Sequence, residues 1–381
     1  MADEKRRFRI PRPGRLFAVR TLVVLGTILA LVSVLAIWVG RLALNTDTWV
    51  DTSDALLEDE EIREALGVAL TDRLYSSVDV AERLEARLPP QFDALAVPAA
   101  AGLREFTQRS ATQVLGRPRV QGAWSAINRA AHEQFVQVVE GGGPVVGTEG
   151  GQVVLMVRPL LEQISEESGL GERVLGQIPE DAGGIVILES EQLESIQTLM
   201  RILDVVASWL WAVALALWAL AVYLSRGRRA KTLRGIAYGL LFVGLAVLVI
   251  LRVGGNRVLT SLVEAPEYEP AAQNAFAIVT ATLKTSAWTL VVIALLGIVG
   301  TWLVGAGRRA VQARQAAAPV FRDYPGVVWG AFAVLVLLVL LWGPIPATRN
   351  LVGIAVLVGL AAGGLWAFSR ITQREFPARP S

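Results

Sequence analysis

Charged side chains vanish from six stretches of the chain, at 21–40, 205–225, 235–251, 285–307, 324–348 and 350–369. Each holds 17 to 25 residues, and a helix rising ~1.5 Å per residue needs about that many to cross a ~30 Å hydrocarbon core. The pattern predicts a mainly α protein, a six-helix transmembrane bundle with spans at 21–40, 204–225, 235–252, 285–306, 326–343 and 350–369. The third window is the shortest and reaches ~25 Å, so Arg234 and Arg252 would snorkel to the two interfaces. Gly343, Pro344, Ile345 and Pro346 supply the break between the last two spans.

Between the first two spans lies a long polar segment, 41–203, with helical periodicity in its first hundred residues. Asn45 or Thr46 can cap a short helix with Asp47 in its first turn. A helix is expected over Glu58–Ser77, with Ile62, Leu66, Leu70 and Leu74 spaced by four. Others are expected over Val80–Leu88, stopping at Pro89-Pro90, and over Phe92–Leu115. From Pro118 to Glu140 the residues Val120, Trp124, Ile127, Ala131, Phe135 and Val138 keep one face and predict a buried stripe.

After Gly141-Gly142-Gly143-Pro144 the texture changes. Val153–Val157 reads as a strand, Pro159 to Glu167 as a short helix and Gly184–Leu188 as a second strand, a small β-α-β element in a mostly helical extracytoplasmic domain. Ser190 can start a helix with Glu191 and Glu194 in its first turn. No breaker separates that helix from the second span, so one continuous helix is expected. In the loop 253–284, Val258, Leu259, Leu262 and Val263 form one amphipathic stretch. Pro270 can open a second, containing Phe276, Val279 and Leu283. This loop is expected to pack under the acidic domain or to lie on the bilayer.

Charge gives the orientation. The segments 1–20, 226–234, 307–325 and 370–381 carry 19 Lys and Arg against four acids, Asp3, Glu4, Asp323 and Glu375. The remainder of the chain carries 17 basic and 30 acidic residues, and 41–203 alone has 26 acids against 13 arginines. Positive charge is retained in the cytoplasm. The tail 1–20, the loops 226–234 and 307–325 and the tail 370–381 are therefore expected inside, and 41–203 and 253–284 outside. The apolar core Thr21–Val39 exceeds a signal-peptide h-region and no A-x-A site follows, so it reads as an uncleaved anchor. Trp38, Trp209, Trp211, Trp288 and Trp342 fall at outer ends. Tyr223, Tyr238, Trp302, Tyr324, Trp329 and Trp366 fall toward inner ends, giving the two girdles an interface selects.

Composition narrows the chemistry. There is no cysteine and a single histidine, His132, which removes disulfides, thiolate and paired-His metal sites, and H-E-x-x-H catalysis. The basic residues are nearly all arginine, with Lys only at 5, 231 and 284, a usage that suggests a GC-rich bacterial genome. His132, beside Glu133, could serve as a base or pH sensor, although a satisfied boundary histidine is the commoner case. Glu58-Asp59-Glu60-Glu61 with Glu64 lacks the loop of a dedicated calcium site and suits a solvated helix start. Gly141–Gly143 and Gly150-Gly151 are no phosphate cradle, since no P-loop or dinucleotide fingerprint accompanies them. Gly235/Gly239 and Gly359/Gly363 have the small-xxx-small spacing of close helix packing. The basic runs suit anionic headgroups better than nucleic acid. None of the six windows contains an ionisable residue, which argues against a secondary transporter acting alone.

The order of these features resembles a family of multi-pass actinobacterial integral membrane proteins with a large extracytoplasmic domain after the first span. The resemblance rests on Asn45-Thr46-Asp47 with Trp49-Val50, Leu74 with Val78-Asp79, and Leu88-Pro89-Pro90. It rests also on Trp124 with Asn128-Arg129 and Ala131-His132, and on Glu189-Ser190. It implies a plasma-membrane location and assigns no catalytic, cofactor-binding or metal-ligating residue. The expected function is non-enzymatic: an acidic outer domain that senses or scaffolds a membrane or envelope protein partner, without a cofactor. An accessory subunit of a transporter, or a lipid-handling protein with an apolar groove, is the alternative. A metal-dependent outer-leaflet hydrolase is a third, weakened by the lone histidine.

Overall fold

The structure, a computed structural model, describes residues 13–77, 80–85, 96–140, 146–149, 152–155, 185–262, 265–305, 307–342 and 351–375. The protein is mainly α. Two compact units form, Met1–Ile37 with Val205–Arg252 and Thr282–Ser381, and Trp38–Asp204 with Val253–Ala281.

The first unit is built on long apolar helices. These are α1 (Pro13–Leu44), α7 (Ser190–Leu224), α8 (Arg229–Leu262) and α9 (Glu269–Leu303), each of which also contributes residues to the second unit. A shorter group follows: α10 (Arg308–Asp323), α11 (Pro325–Trp342) and α12 (Leu351–Glu375). Among the described residues four helices are long and apolar enough to cross a membrane, or five if the bent pair α10–α11 is one span. The expected six is therefore not reached. At 18 residues α11 is only ~27 Å long, and parts of α11 and α12 have side chains outside the description.

Small residues draw the long helices together. A Cβ on Gly26 of α1 would lie 2.5 Å from the Trp218 indole of α7, whose Nε1 donates to the Val23 carbonyl at 3.4 Å. Gly239 of α8 leaves room for Thr27, and Gly244 for the Ala287 carbonyl and Val291 of α9. Ala214, Ala221, Ala237, Ala287 and Ala294 are buried, whereas Leu25, Ile28, Val213, Phe242, Val249 and Leu295 are exposed. Small residues inside and large apolar ones outside fit a protein whose solvent is lipid. Of the two glycine pairs noted above, Gly239 makes a close contact, Gly235 only touches Val23, and a Cβ on Gly359 or Gly363 would meet nothing within 4 Å among the described residues. The α7–α8 turn uses Gly227 at φ 83°, with Arg228 N–H donating to Ser225 O at 2.8 Å. Glycine suits the left-handed third position of such a turn.

The second unit begins with the last residues of α1, from Trp38. Asn45 caps α2 (Thr46–Glu58), its Oδ1 accepting from the Thr48 N–H at 2.8 Å. Asp59 separates α2 from α3 (Glu60–Ser77), its Oδ1 accepting from the Ile62 N–H, so the helix expected over Glu58–Ser77 starts two residues later and Glu58 closes α2. Then come α4 (Val80–Glu85), α5 (Ala96–Leu115) and α6 (Pro118–Val139), with α3 packed on α5 and α2 on α6. At the α2–α6 seam Trp124 Nε1 donates to Ser53 O at 3.1 Å, and Ser125 Oγ to Asp54 Oδ2 at 2.9 Å.

Three expectations need correction here. The stripes read for α3 and α6 are only partly the packed faces: Ile62, Leu66, Val120, Trp124 and Val138 are half-buried, but Leu70, Leu74, Ile127, Ala131 and Phe135 are exposed, and Gly67, Thr71, Ala130, His132 and Val139 are buried. Gly67 lets the Thr112 side chain and the Gln108 carbonyl of α5 come close, and that approach turns the larger residues outward. The β-α-β element is replaced by a three-stranded antiparallel sheet, β1 (Val146–Glu149), β2 (Gln152–Leu155) and β3 (Ile185–Glu189) in that order, with a register shift at Val153/Val154. Antiparallel β2–β3 pairing is incompatible with the parallel pair a crossover joins; the helix expected at 159–167 lies outside the described residues. In the loop 253–284, 258–262 is helical and Pro270 lies in the first turn of a helix containing Phe276, Val279 and Leu283, as expected, but neither helix is separate from a span. The loop is made of the end of α8, a short 3₁₀ turn at Pro266–Tyr268 and the start of α9, because a lone Arg252 or Lys284 does not interrupt a helix.

Candidate functional site

The most unusual environment in the second unit surrounds His132. The capped start of α2 aims Thr46 and Trp49 at α6, and α6 turns His132 toward them. The imidazole is 6% exposed. It stacks on Trp49, with centroids 5.3 Å apart and planes 18° from parallel, and meets Phe135 at 5.9 Å. Its Nδ1 shares a hydrogen bond of 3.1 Å with Thr46 Oγ1, while its Nε2 is buried with no hydrogen-bond partner among the described residues. Desolvation holds the pKa below the ordinary 6.5, and the backbone carbonyls of Ala43 and Leu42 at the end of α1 partly oppose that. The neutral ring is therefore the resting form. Next to it Arg129 Nη1 meets Asp47 Oδ1 at 2.8 Å.

Sequence periodicity missed this cluster. The signal was available as Trp124, Asn128 and His132, each four residues apart, but two of the three are polar and did not count toward an apolar stripe. Two of the segments behind the family resemblance, Asn45-Thr46-Asp47 with Trp49 and Trp124 with Asn128-Arg129 and His132, are brought together here. A ring this buried has no open approach for a substrate among the described residues.

A second feature is an open groove of about 410 Å³ between α3 and α5, lined by Glu61, Glu64, Arg109 and Gln113 and closed at one side by Glu267 and Tyr268. The acidic run flagged above resolves into structural roles. Asp59 caps α3 and accepts two bonds from Asn274 Nδ2, at 3.1 and 3.0 Å. Arg63 donates to the Leu57 and Glu58 carbonyls that end α2, and Glu61 and Glu64 face the groove. No group of three or more metal-ligating side chains occurs among the described residues. The glycine runs at 141–143 and 150–151 lie outside the described residues.

No family model, no curated protein and no solved structure matches the chain.

Proposed function

We propose that the protein is a non-enzymatic integral membrane protein of the cell envelope whose helical outer unit recognises a protein partner at the membrane. In this reading α11 and α12 also cross the membrane beside the four long apolar helices, both termini are cytoplasmic, and 41–203 and 253–284 lie outside. Asn274 of α9 bonds Asp59, and Trp38 Nε1 donates to Val279 O at 3.4 Å. The two polar inserts thus fold on each other although α7 and α8 separate them in sequence. Segments separated by two crossings return to the same face, which supports the topology inferred from charge.

One observation carries the partner. The packed pair α3–α5 leaves Leu70 (54%), Leu74 (53%), Leu103 (45%) and Phe106 (63%) exposed. Apolar side chains of this size, set among charged neighbours such as Arg104 and Asp72, are characteristic of a protein-binding surface. The lipid-handling alternative requires an elongated apolar groove, and the groove beside this surface mixes Ala65, Val68 and Tyr268 with Glu61, Glu64 and Arg109. Photo-crosslinking from a reactive residue at position 106 in intact cells tests the reading. A discrete protein adduct that Leu70→Asp abolishes is expected; lipid adducts alone would contradict it.

A further inference from the structure

One end of the first unit carries an arrangement that partner recognition does not use. Arg234 Nη2 donates to the Thr301 carbonyl at 2.7 Å, which sets the start of α8 beside the end of α9. Arg314, 1% exposed, donates to the Leu303 and Gly305 carbonyls and forms a two-pronged pair with Glu375 at 2.7 and 3.1 Å. The end of α9, helix α10 and the end of α12 are therefore pinned at one place. Phe321 against Phe368, with centroids 5.3 Å apart, adds an apolar contact between α10 and α12.

Helix α10 turns 104° from α11. An apolar α11 running along the bilayer normal leaves α10 lying in the membrane plane. Its buried side is Ala310 and Arg314, and its outward side bears Arg308, Arg309, Gln312 and Gln315. The tight turn at Gly227 adds exposed Arg226, Arg228, Arg229 and Lys231 at the same end. Segments 205–252 and 282–381 contain just two acids, Asp323 and Glu375, and both are paired with arginine. Aromatic rings accompany the positive charge, with the Arg370 guanidinium 4.7 Å from the Trp366 ring centroid and Arg226 5.6 Å from that of Tyr223. Rings of this kind sit at headgroup depth.

We infer that α10 is an in-plane interfacial helix whose outward arginines, Arg308 and Arg309 foremost, bind the phosphates of anionic phospholipids in the leaflet at this end. The inference rests on reading the apolar helices as spans and is independent of the partner. In-plane amphipathic helices with basic polar faces draw on anionic lipid in this way, and the attraction weakens with salt.

The test uses the full-length protein reconstituted in phosphatidylcholine vesicles containing phosphatidylglycerol, with trace spin-labelled phosphatidylglycerol or phosphatidylcholine. The motionally restricted fraction of each lipid is read by electron paramagnetic resonance. Phosphatidylglycerol is expected to be restricted several-fold more than phosphatidylcholine at low salt. The pair Arg308→Gln and Arg309→Gln brings that preference toward unity, and the pair Arg308→Lys and Arg309→Lys retains it. No preference in the unsubstituted protein, or one unchanged in the glutamine pair, overturns the proposal. A nitroxide at Gln312→Cys should report headgroup depth, and bulk-water exposure there overturns it equally. Labelling of position 312 from outside the cell, with the lipid preference intact, would overturn the topology and leave the lipid site standing.

Discussion

The imidazole of His132 lies flat against the indole of Trp49, 5.3 Å between centroids, beside the last turn of α1. The neutral ring tolerates this site, and protonation would place a charge among Trp49, Phe135 and the end of α1. The charged groups beside it are Asp47 of α2 and Arg129 of α6, already engaged with each other, and Glu133 is its neighbour on α6 itself. A folded pKa below 6.5 means that the unfolded chain binds the proton first as pH falls. Stability from this site is thus intact above about pH 6.5 and is lost as pH drops through the folded value. His132→Phe keeps a ring on Trp49 and removes the titration. Its melting temperature should gain on the unsubstituted protein between about pH 7.5 and 5; a constant difference across that range would contradict the assignment.

Arg314 predicts a larger effect. Replacing it with Ala leaves the Leu303 and Gly305 carbonyls and one side of Glu375 without their donor, a loss of about 2–3 kcal/mol after allowing for the partial exposure of the carboxylate. Arg314→Lys should recover little, because one ammonium cannot serve a bidentate carboxylate and two carbonyls at once. Glu375→Gln should cost less than Arg314→Ala. Thermal unfolding in detergent gives the order, and a fully stable Arg314→Lys protein would refute the argument.

Gly244 marks a close approach of α8 to the α9 backbone. A Cβ there would stand 2.7 Å from Val291 Cγ2 and 2.8 Å from the Ala287 carbonyl. Gly244→Ala should destabilise by about 1–3 kcal/mol, whereas Gly254→Ala, with open space around it, should be neutral or slightly stabilising in the helix. Equal effects from the two, measured by denaturant titration in detergent, would mean that the backbones are not in contact there.

Asp59 joins the two polar inserts by bonding Asn274, 215 residues further along the chain. Asp59→Ala removes the α3 cap and both bonds from Asn274, a cost of about 1–2 kcal/mol. Hydrogen exchange should quicken both in the first turn of α3 and in α9 around Asn274. Faster exchange in α3 alone would reduce Asp59 to a local cap.

Helix positions were largely legible from sequence, and helix faces were not. The uninterrupted helix from Ser190 to Leu224 followed from the lack of any breaker, and Asn45 announced the start of α2. The faces of α3 and α6 were partly misread because Gly67, Thr71, His132 and Gln134 are buried in place of larger apolar residues. A hydrophobicity pattern rewards side-chain size, whereas these contacts depend on backbone approach and hydrogen bonding. Helix α10 was read as loop because its inward side is closed by alanine and a buried arginine. The antiparallel sheet escaped because alternation along a strand carries no information about which neighbour it meets.

The absence of cysteine allows the most direct test of the account. Single cysteines at Ala101 in α5 and Gln312 in α10, both exposed, can be probed with a membrane-impermeant maleimide in intact cells. Labelling at 101 without permeabilisation, and at 312 only after it, is the predicted result. The reverse pattern, or equal labelling of both in intact cells, would contradict the placement of the acidic unit outside a bilayer that the apolar helices cross.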